Sequence, residues 1–284
     1  MDLPLKINLK DKVAVITGGG GVICGLFSEA LAECGAKVAI IDINQEAAER
    51  VAKKIIIDGG VAIAIKADIL DLESLKKAKK IISEKFGTWS ILINGAGGNH
   101  PKGTTSDEYL TREDLLKKKK GLTFFDLEQE GITFIFNLNF IGTILSTQVF
   151  AKTMIDEKGA VIINISSMNA YRPLTKIPAY SAAKAAISNF TQWLAVHMSK
   201  VNIRVNAIAP GFFLTEQNRL LLTNENGSFN TRAEKILQHT PMGRFGMPKE
   251  LIGTLLWLID EKASSFVTGV VIPVDGGFSA YSGV

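Results

Sequence analysis

The chain has 284 residues, 46% of them hydrophobic, and a mean hydropathy of +0.19, which suits one large α/β domain with a well-buried core. Its 32 basic and 28 acidic side chains leave a formal net charge of +4, too slight a bias to make nucleic acid the main partner, though compatible with small anionic ligands. Two cysteines, Cys24 and Cys34, fit free thiols in a reducing cytoplasm, and neither a signal-like N-terminal apolar core nor a run of ~18 apolar residues points to export or to a membrane.

Short, continuously apolar runs alternate with longer helical patterns, as in βα units that wind a parallel sheet. In chain order the pattern predicts strand Val13–Thr17, helix Cys24–Cys34, strand Lys37–Asp42, helix Gln45–Asp58, strand Val61–Lys66, helix Leu72–Phe86 and strand Ile91–Asn94. Helix Ile132–Asp156, strand Val161–Ile165, helix Ala179–Lys200, strand Arg204–Ala209, helix Pro248–Ile259 and strand Val270–Val274 follow. Continuous apolarity suits strands covered on both faces, so the expected fold is α/β, a doubly wound parallel sheet forming a single domain over 1–284. Two polar stretches break the rhythm, 98–127, which contains Lys117–Lys120, and 212–240. Both follow strand C-terminal ends, where open α/β sheets place ligands, and they are expected to form a substrate wall and lid. The four lysines read as a solvated face.

The first strand runs into Thr17-Gly18-Gly19-Gly20-Gly21-Val22-Ile23-Cys24-Gly25 and then a helix. Backbone without Cβ atoms can approach a pyrophosphate closely, and a helix N-terminus offers it free N–H groups. The run does not satisfy G-x-G-x-x-G in any register. Asp42 closes the second strand, 24 residues beyond Gly18. A carboxylate there can accept from ribose hydroxyls and repels a 2′-phosphate, and no Arg or Lys follows in Ile43-Asn44-Gln45, so NAD is favoured over NADP. Capping of the next helix is the competing use of Asp42. Asp68 ends the third strand, and Asn94-Gly95-Ala96-Gly97 provides a second close backbone approach.

Ser167, Tyr180 and Lys184 offer a hydroxyl, a phenol and a cation for carbonyl reduction. If Tyr180 begins a helix, Lys184 lies one turn along the same face, near enough to stabilise a phenolate and lower a phenol pKa that starts near ~10. A phenol so tuned exchanges a proton near neutrality. Ser167, from the end of a separate strand, is placed to hydrogen-bond the substrate oxygen.

Thr17-Gly18 with its glycine run, Asp68, Asn94-Gly95-Ala96-Gly97, Asn139, Ser167, Tyr180-x-x-x-Lys184 and Pro210-Gly211 occur in the order seen in short-chain dehydrogenases/reductases, which the chain resembles over almost its whole length. The resemblance implies a seven-stranded Rossmann sheet, commonly in tetramers. It assigns general acid/base chemistry to Tyr180, pKa tuning and the nicotinamide ribose to Lys184, substrate-oxygen orientation to Ser167, and a water of the proton relay to Asn139. For the cofactor it implies Gly18, Gly20, Gly21, Val22, Ile23, Asp42, Ile43, Asp68, Ile69, Asn94, Gly95, Ala96, Gly97, Pro210, Gly211 and Phe213, with Thr215 at the carboxamide. One departure stands out: the family's Thr-Gly-x-x-x-Gly-x-Gly has Val22 and Cys24 where its last two glycines belong.

The segment from Asn94 to Lys102 with the long polar insertion after it, Ser166-Ser167-Met168-Asn169-Ala170, the stretch from Phe212 to Arg219 and the ending Gly276-Gly277-Phe278-Ser279-Ala280-Tyr281-Ser282-Gly283-Val284 resemble the D-mannonate oxidoreductases, also called fructuronate reductases. That implies NADH-linked reduction of a 5-keto hexuronate or oxidation of the matching aldonate. Gluconate 5-dehydrogenase or another polyol dehydrogenase, a ketoacyl reductase, and a non-catalytic nucleotide sensor are the alternatives. An acidic sugar needs charge-assisted donors for its carboxylate and paired polar groups for its hydroxyls. Asn99, His100, Lys102, Asn169, Arg172, Gln217, Asn218 and Arg219, on loops beyond strand ends, are the candidates, each with a surface or loop-stabilising role as its competing use. Three scattered histidines and two cysteines ten residues apart offer no metal-ligand pattern.

Overall fold

A computed structural model describes residues 7–116, 121–155, 157–215, 219, 222–224 and 226–283. Seven strands pair in the order β3-β2-β1-β4-β5-β6-β7, all parallel: β1 Val13–Thr17, β2 Lys37–Asp42, β3 Val61–Lys66, β4 Ile91–Asn94, β5 Val161–Ile165, β6 Arg204–Pro210 and β7 Val271–Val274. Every residue of β1, β4, β5 and β6 is buried, as continuous apolar runs require when both sheet faces are covered. Alternate side chains feed two cores. Ala14 and Ile16 pack with Phe27 and Leu31 on one face, whereas Val13 and Val15 pack with Leu75, Ile82 and Phe150 on the other.

The helices α1 Val22–Glu33, α2 Gln45–Ile57 and α9 Ile252–Ile259 supply the first core, and α3 Leu72–Phe86, α6 Gly142–Ala151 and α7 Pro178–Met198 supply the second. Asn44 and Asp71 cap α2 and α3 by accepting from Ala47 and Glu73 N–H groups. Because β1 lies between β2 and β4, the winding reverses there and leaves a crevice at the strands' C-terminal edge. The register sets Thr17 beside Asn94 and Asn94 beside Asn164, so the ends of β1, β4 and β5 lie at one level.

An unbroken helix over 132–156 is not what forms. The chain runs as α5 Gln129–Phe136, a π-turn over Asn137–Ile141, α6 and a 3-10 turn at Lys152–Met154; residue 156 lies outside the described residues. Gly142 begins α6 where a Cβ would collide with Ile69, which brings the helix close to the chain after β3. The run Gln129–Met154 is long and apolar enough to cross a membrane, with a mean hydropathy of 1.4. Its buried Asn139, Thr143, Ser146 and Thr147, and its packing through Phe150 and Met154 into the second core, account for it as a core helix.

Two smaller differences have local causes. Helix α1 starts at Val22, two residues ahead of the apolar pattern, because the glycine turn ends at Gly21. The first turn of the helix expected from Pro248 is 3-10, over Pro248–Leu251.

The first polar stretch carries a 3-10 turn at Pro101–Gly103, the short helix α4 Arg112–Leu115 and a 3-10 turn at Phe124–Asp126; Lys117–Lys120 lie outside the described residues. The second carries α8 Thr231–Gln238, whose buried Ala233 and Ile236 pack with Leu222 and Phe245 into a small cluster separate from the sheet cores.

Candidate active site

A cleft of roughly 730 Å³ opens where the sheet order reverses. Its near wall is the glycine turn. Gly18 has φ +65°, and a Cβ there would lie 2.7 Å from the Ala96 Cα, so position 18 needs glycine both for its left-handed conformation and for the approach of the second glycine segment. The Thr17 hydroxyl accepts from the Gly95 N–H at 3.2 Å and laces the two segments together. Gly21 precedes α1 without a side-chain cap, and Val22 and Ile23 line the cleft.

Asp42 also lines it. One carboxylate oxygen accepts from the Gly20 N–H at 3.0 Å and the other from the Asn44 N–H at 2.9 Å, so the aspartate is tied to the glycine turn, while Asn44 does the capping of α2. Ile43, Asp68 and Ile69 continue this end of the wall, residues 95–98 form the floor, and Ser167, Tyr180, Lys184, Pro210, Gly211, Phe213 and Thr215 complete the far end.

Tyr180 is the third residue of α7, which opens with Pro178 at a first-turn position that costs the helix no hydrogen bond. Lys184 follows one turn later, buried, with its Nζ donating to the Ile165 carbonyl at 2.9 Å and 5.5 Å from the centre of the Tyr180 ring. The Ser167 side chain, at the end of β5, hydrogen-bonds Tyr180 and accepts from the Asn169 N–H.

Asn139 sits in the π-turn, fully buried. Its amide donates to the Gly98 and Ile135 carbonyls at 2.7 and 2.8 Å and its oxygen accepts from the Gly98 N–H at 3.2 Å. A Cβ on Gly97 would lie 2.6 Å from that oxygen and 3.3 Å from Lys184 Nζ, so the Gly97 backbone closes directly onto both groups.

The electrostatics correct one expectation. Burial pushes the Tyr180 phenol up to about 12, only partly offset by the Ser167 hydrogen bond, and burial brings Lys184 down to about 8. Desolvation is the largest cause and the Ser167 hydrogen bond the one that opposes it, so burial holds the proton on the phenol well above neutrality. At pH 7 the phenol is protonated and suited to giving a proton.

Several expected residues stand elsewhere. The Asn94 amide faces away from the cleft, donating to Thr147 Oγ1 and Asn164 Oδ1 at 2.9 Å each, because strand alternation turns it to the α6 side of the sheet. Gly20 packs on Ala47 and reaches the cleft only through Asp42.

Among the substrate candidates, Asn99 donates to Thr104 Oγ1, His100 accepts from the Lys102 N–H and packs on Phe134, and Arg172 donates to the Ser279 carbonyl. Lys102 is held by Glu128 and Glu130 at 2.9 and 2.7 Å, which raises its pKa through those hydrogen bonds and commits its charge. None of these lines the cleft, nor do Asn169 and the exposed Arg219. The Asn169 Oδ1 is buried with no hydrogen-bond partner. Gln217 and Asn218 lie outside the described residues.

The cleft also takes in Cys24, Ala67, Gly98, Leu138, Ile165, Ser166 and Phe212. Cys24 explains how the turn dispenses with a glycine there. A Cβ on Gly95 would overlap the Cys24 sulfur, so the thiol fills the space that a side chain at 95 would use. Burial pushes this thiol up to about 12 and keeps it neutral. Gly95→Ala should therefore lower the thermal midpoint by roughly 2–10 °C, and adding Cys24→Ala should recover part of the loss; calorimetry of the single and double variants checks this.

Residues 23–279 match the family described as enoyl-(acyl carrier protein) reductase. An uncharacterised oxidoreductase of Haemophilus influenzae is 58% identical over 284 residues, 100% of this chain and 99% of that protein. The uncharacterised oxidoreductase UxuB of Bacillus subtilis is 53% identical over 282 residues, 99% and 100% of the two chains. The crystal structure of a protein provisionally named a D-mannonate oxidoreductase, from Haemophilus influenzae and with bound NAD, superposes with a TM-score of 0.94 at 57% identity and covers 100% of both chains.

Proposed function

The chain belongs to the short-chain dehydrogenase/reductase family, and from that premise we propose that it transfers a hydride between NAD(H) and a keto sugar acid, with interconversion of D-fructuronate and D-mannonate as the specific reaction. One observation carries the chemistry: a single cleft joins Asp42 and the glycine turn at one end to Ser167, Tyr180 and Lys184 at the other. The sugar-acid reading is supported by the likeness, over the whole of both chains, to the NAD-bound protein provisionally named a D-mannonate oxidoreductase.

The residues present fit NAD. Glycine backbone at 18, 21, 95 and 97 keeps the walls low, the first turn of α1 presents N–H groups without a side-chain cap, and Asp42 stands at the end where a 2′-phosphate would be repelled. In our reading Gly18, Gly21, Val22 and Ile23 hold the pyrophosphate, with Gly20 acting through Asp42. Asp42 and Ile43 hold the ribose, and Asp68 and Ile69 the adenine. Gly95, Ala96, Gly97, Pro210, Gly211, Phe213 and Thr215 hold the nicotinamide half, with Asn94 bracing the floor from the core. Bound there, the nicotinamide supplies or accepts the hydride.

The chain itself handles the proton and the oxygen. Ser167 donates to the carbonyl oxygen and keeps it against Tyr180, which gives its proton to that oxygen as the alcohol forms. Lys184, charged at neutral pH, stabilises the phenolate left behind and holds the nicotinamide ribose. Asn139, beside Gly97 and Lys184, positions a water that returns a proton to the pair. The polar stretches 98–127 and 212–240 wall and cover the substrate. Exposed Trp193 and Val196 on α7 support a homo-oligomer, which the family resemblance makes a tetramer.

The test is NADH and NADPH oxidation on D-fructuronate, D-tagaturonate, 5-keto-D-gluconate and an acetoacetyl thioester. Turnover of a keto-uronate with NADH is the expected result. Activity confined to ketogluconate or the thioester would discard the hexuronate substrate and leave the catalytic residues in place.

A further inference from the structure

Buried polar side chains fix helix α7 to strand β5 at successive levels. Furthest from the cleft, the Asn164 amide donates to Thr191 Oγ1 at 2.9 Å. Two residues along the strand, the Ser166 hydroxyl donates to the Lys184 carbonyl at 3.1 Å and lies 2.7 Å from the Ser188 hydroxyl. Ser167 then hydrogen-bonds Tyr180. Advancing from 164 to 167 along the strand therefore runs back from 191 to 180 along the helix. Apolar burial presses a helix onto a sheet but is non-directional, so these bonds decide where along the strand the helix sits.

Ser166 is buried, borders the cleft, and is itself held by the sheet: its N–H donates to the Ile208 carbonyl of β6 at 2.8 Å. Its neighbours grip the same turn of α7. The Ile165 carbonyl accepts from Lys184 Nζ, and Ser167 bonds Tyr180. The Ser188 hydroxyl also reaches the Lys184 carbonyl, at 3.3 Å. Each hydroxyl carries one hydrogen, so one serine gives to the carbonyl and the other to its neighbour. The two are not equivalent. Without Ser188, the Ser166 hydroxyl still ties the carbonyl to the strand. Without Ser166, the carbonyl keeps only a hydroxyl of its own helix, and that tie to the strand is lost.

We propose that Ser166 is a positioning residue that pins the Tyr180–Lys184 turn of α7 to the end of β5 and so aligns the phenol and the ammonium with Ser167. This rests on the reading of Ser167, Tyr180 and Lys184 as the catalytic groups. Tyr180 and Lys184 share one helix and keep their mutual spacing whatever the helix does, whereas Ser167 belongs to the strand end. The alignment at stake is therefore that between the two elements, where a misplacement of about 1 Å costs up to about 10²-fold in rate.

The experiment compares Ser166→Ala and Ser188→Ala with the native chain, and repeats Ser166→Ala in a Ser167→Ala background. Amide hydrogen exchange along α7, measured without substrate, is set beside NADH oxidation on D-fructuronate. Ser166→Ala should speed exchange over residues 180–188 by roughly two- to ten-fold, the worth of one hydrogen bond, and leave residues 191–198, still held through Asn164, near native. It should lower kcat about ten-fold and change KM for the ketone by less than about two-fold. Ser188→Ala should move both measurements less than Ser166→Ala does. In the Ser167→Ala background Ser166→Ala should cost less than about two-fold in kcat, because the group it aligns with the helix is already gone. Unchanged exchange, a native kcat, equal effects of the two serines, or an undiminished loss in the Ser167→Ala background would each overturn the proposal. If the native chain does not reduce D-fructuronate, the sugar-acid reading falls by itself, and the exchange pattern decides whether Ser166 pins the turn.

Discussion

Replacing Tyr180 by Phe should lower kcat for ketone reduction by about 10²–10⁴-fold, the usual contribution of a positioned general acid, and leave NADH binding nearly intact. The substitution removes one oxygen. The ring stays seated against Ile135, Ala179 and Ala183, so α7 and the cleft wall keep their shape. What disappears is the proton that burial holds on the phenol, with a pKa pushed up to about 12, and the hydrogen bond to Ser167 that aligns it. Stopped-flow turnover with fluorescence titration of NADH separates the two effects; a variant turning over at a near-native rate would sink the assignment of Tyr180 as the acid.

Lys184→Met should cost about 10²-fold in kcat, weaken NADH binding, and remove one limb of the pH profile. Burial disfavours the charged ammonium and brings its pKa down to about 8, so the charge is present below that value and is lost as the pH rises through it. Reduction by the native enzyme should accordingly hold a plateau on the acid side and fall above about pH 8. Tyr180 adds no limb in that range, because its own raised pKa keeps it protonated there. Methionine fills most of the lysine's buried volume but makes neither the bond to the Ile165 carbonyl nor a charge, so the variant's profile should be flat where the native one falls. A native profile without that fall, or a variant that keeps it, assigns the titration to another group.

Strands were legible because burial on both faces leaves nothing but apolar side chains in a run, and the bounds of β1 to β5 coincide with those runs. The π-turn was not. A 3.6-residue period carries through Asn137–Ile141 without a break in composition, and the shift shows only in the backbone. The placement of Tyr180 and Lys184 on one helix face followed from their spacing alone. Their titration did not, since the desolvation that dominates it depends on segments distant in the chain.

Lys102 shows where the sequence was silent. Its two carboxylate partners lie in residues 128–130, after a long excursion of the wall, and no local pattern announces that they return to it. Asn94 shows the opposite case. Parity along β4 puts Ile91 and Ile93 in one core and Leu92 in the other, so the direction of Asn94 away from the glycine turn was already contained in the alternation.

The overlap between Cys24 and a side chain at 95 makes these two positions share a single volume, although they lie 71 residues apart. Substitutions there are therefore coupled: bulk at position 95 costs less once position 24 has given up its own, although the Thr17 carbonyl, 3.0 Å from a Cβ at 95, still limits it. A library that varies the two independently would overstate the cost of change at Gly95, whereas varying them together would show how much of that cost the pair shares.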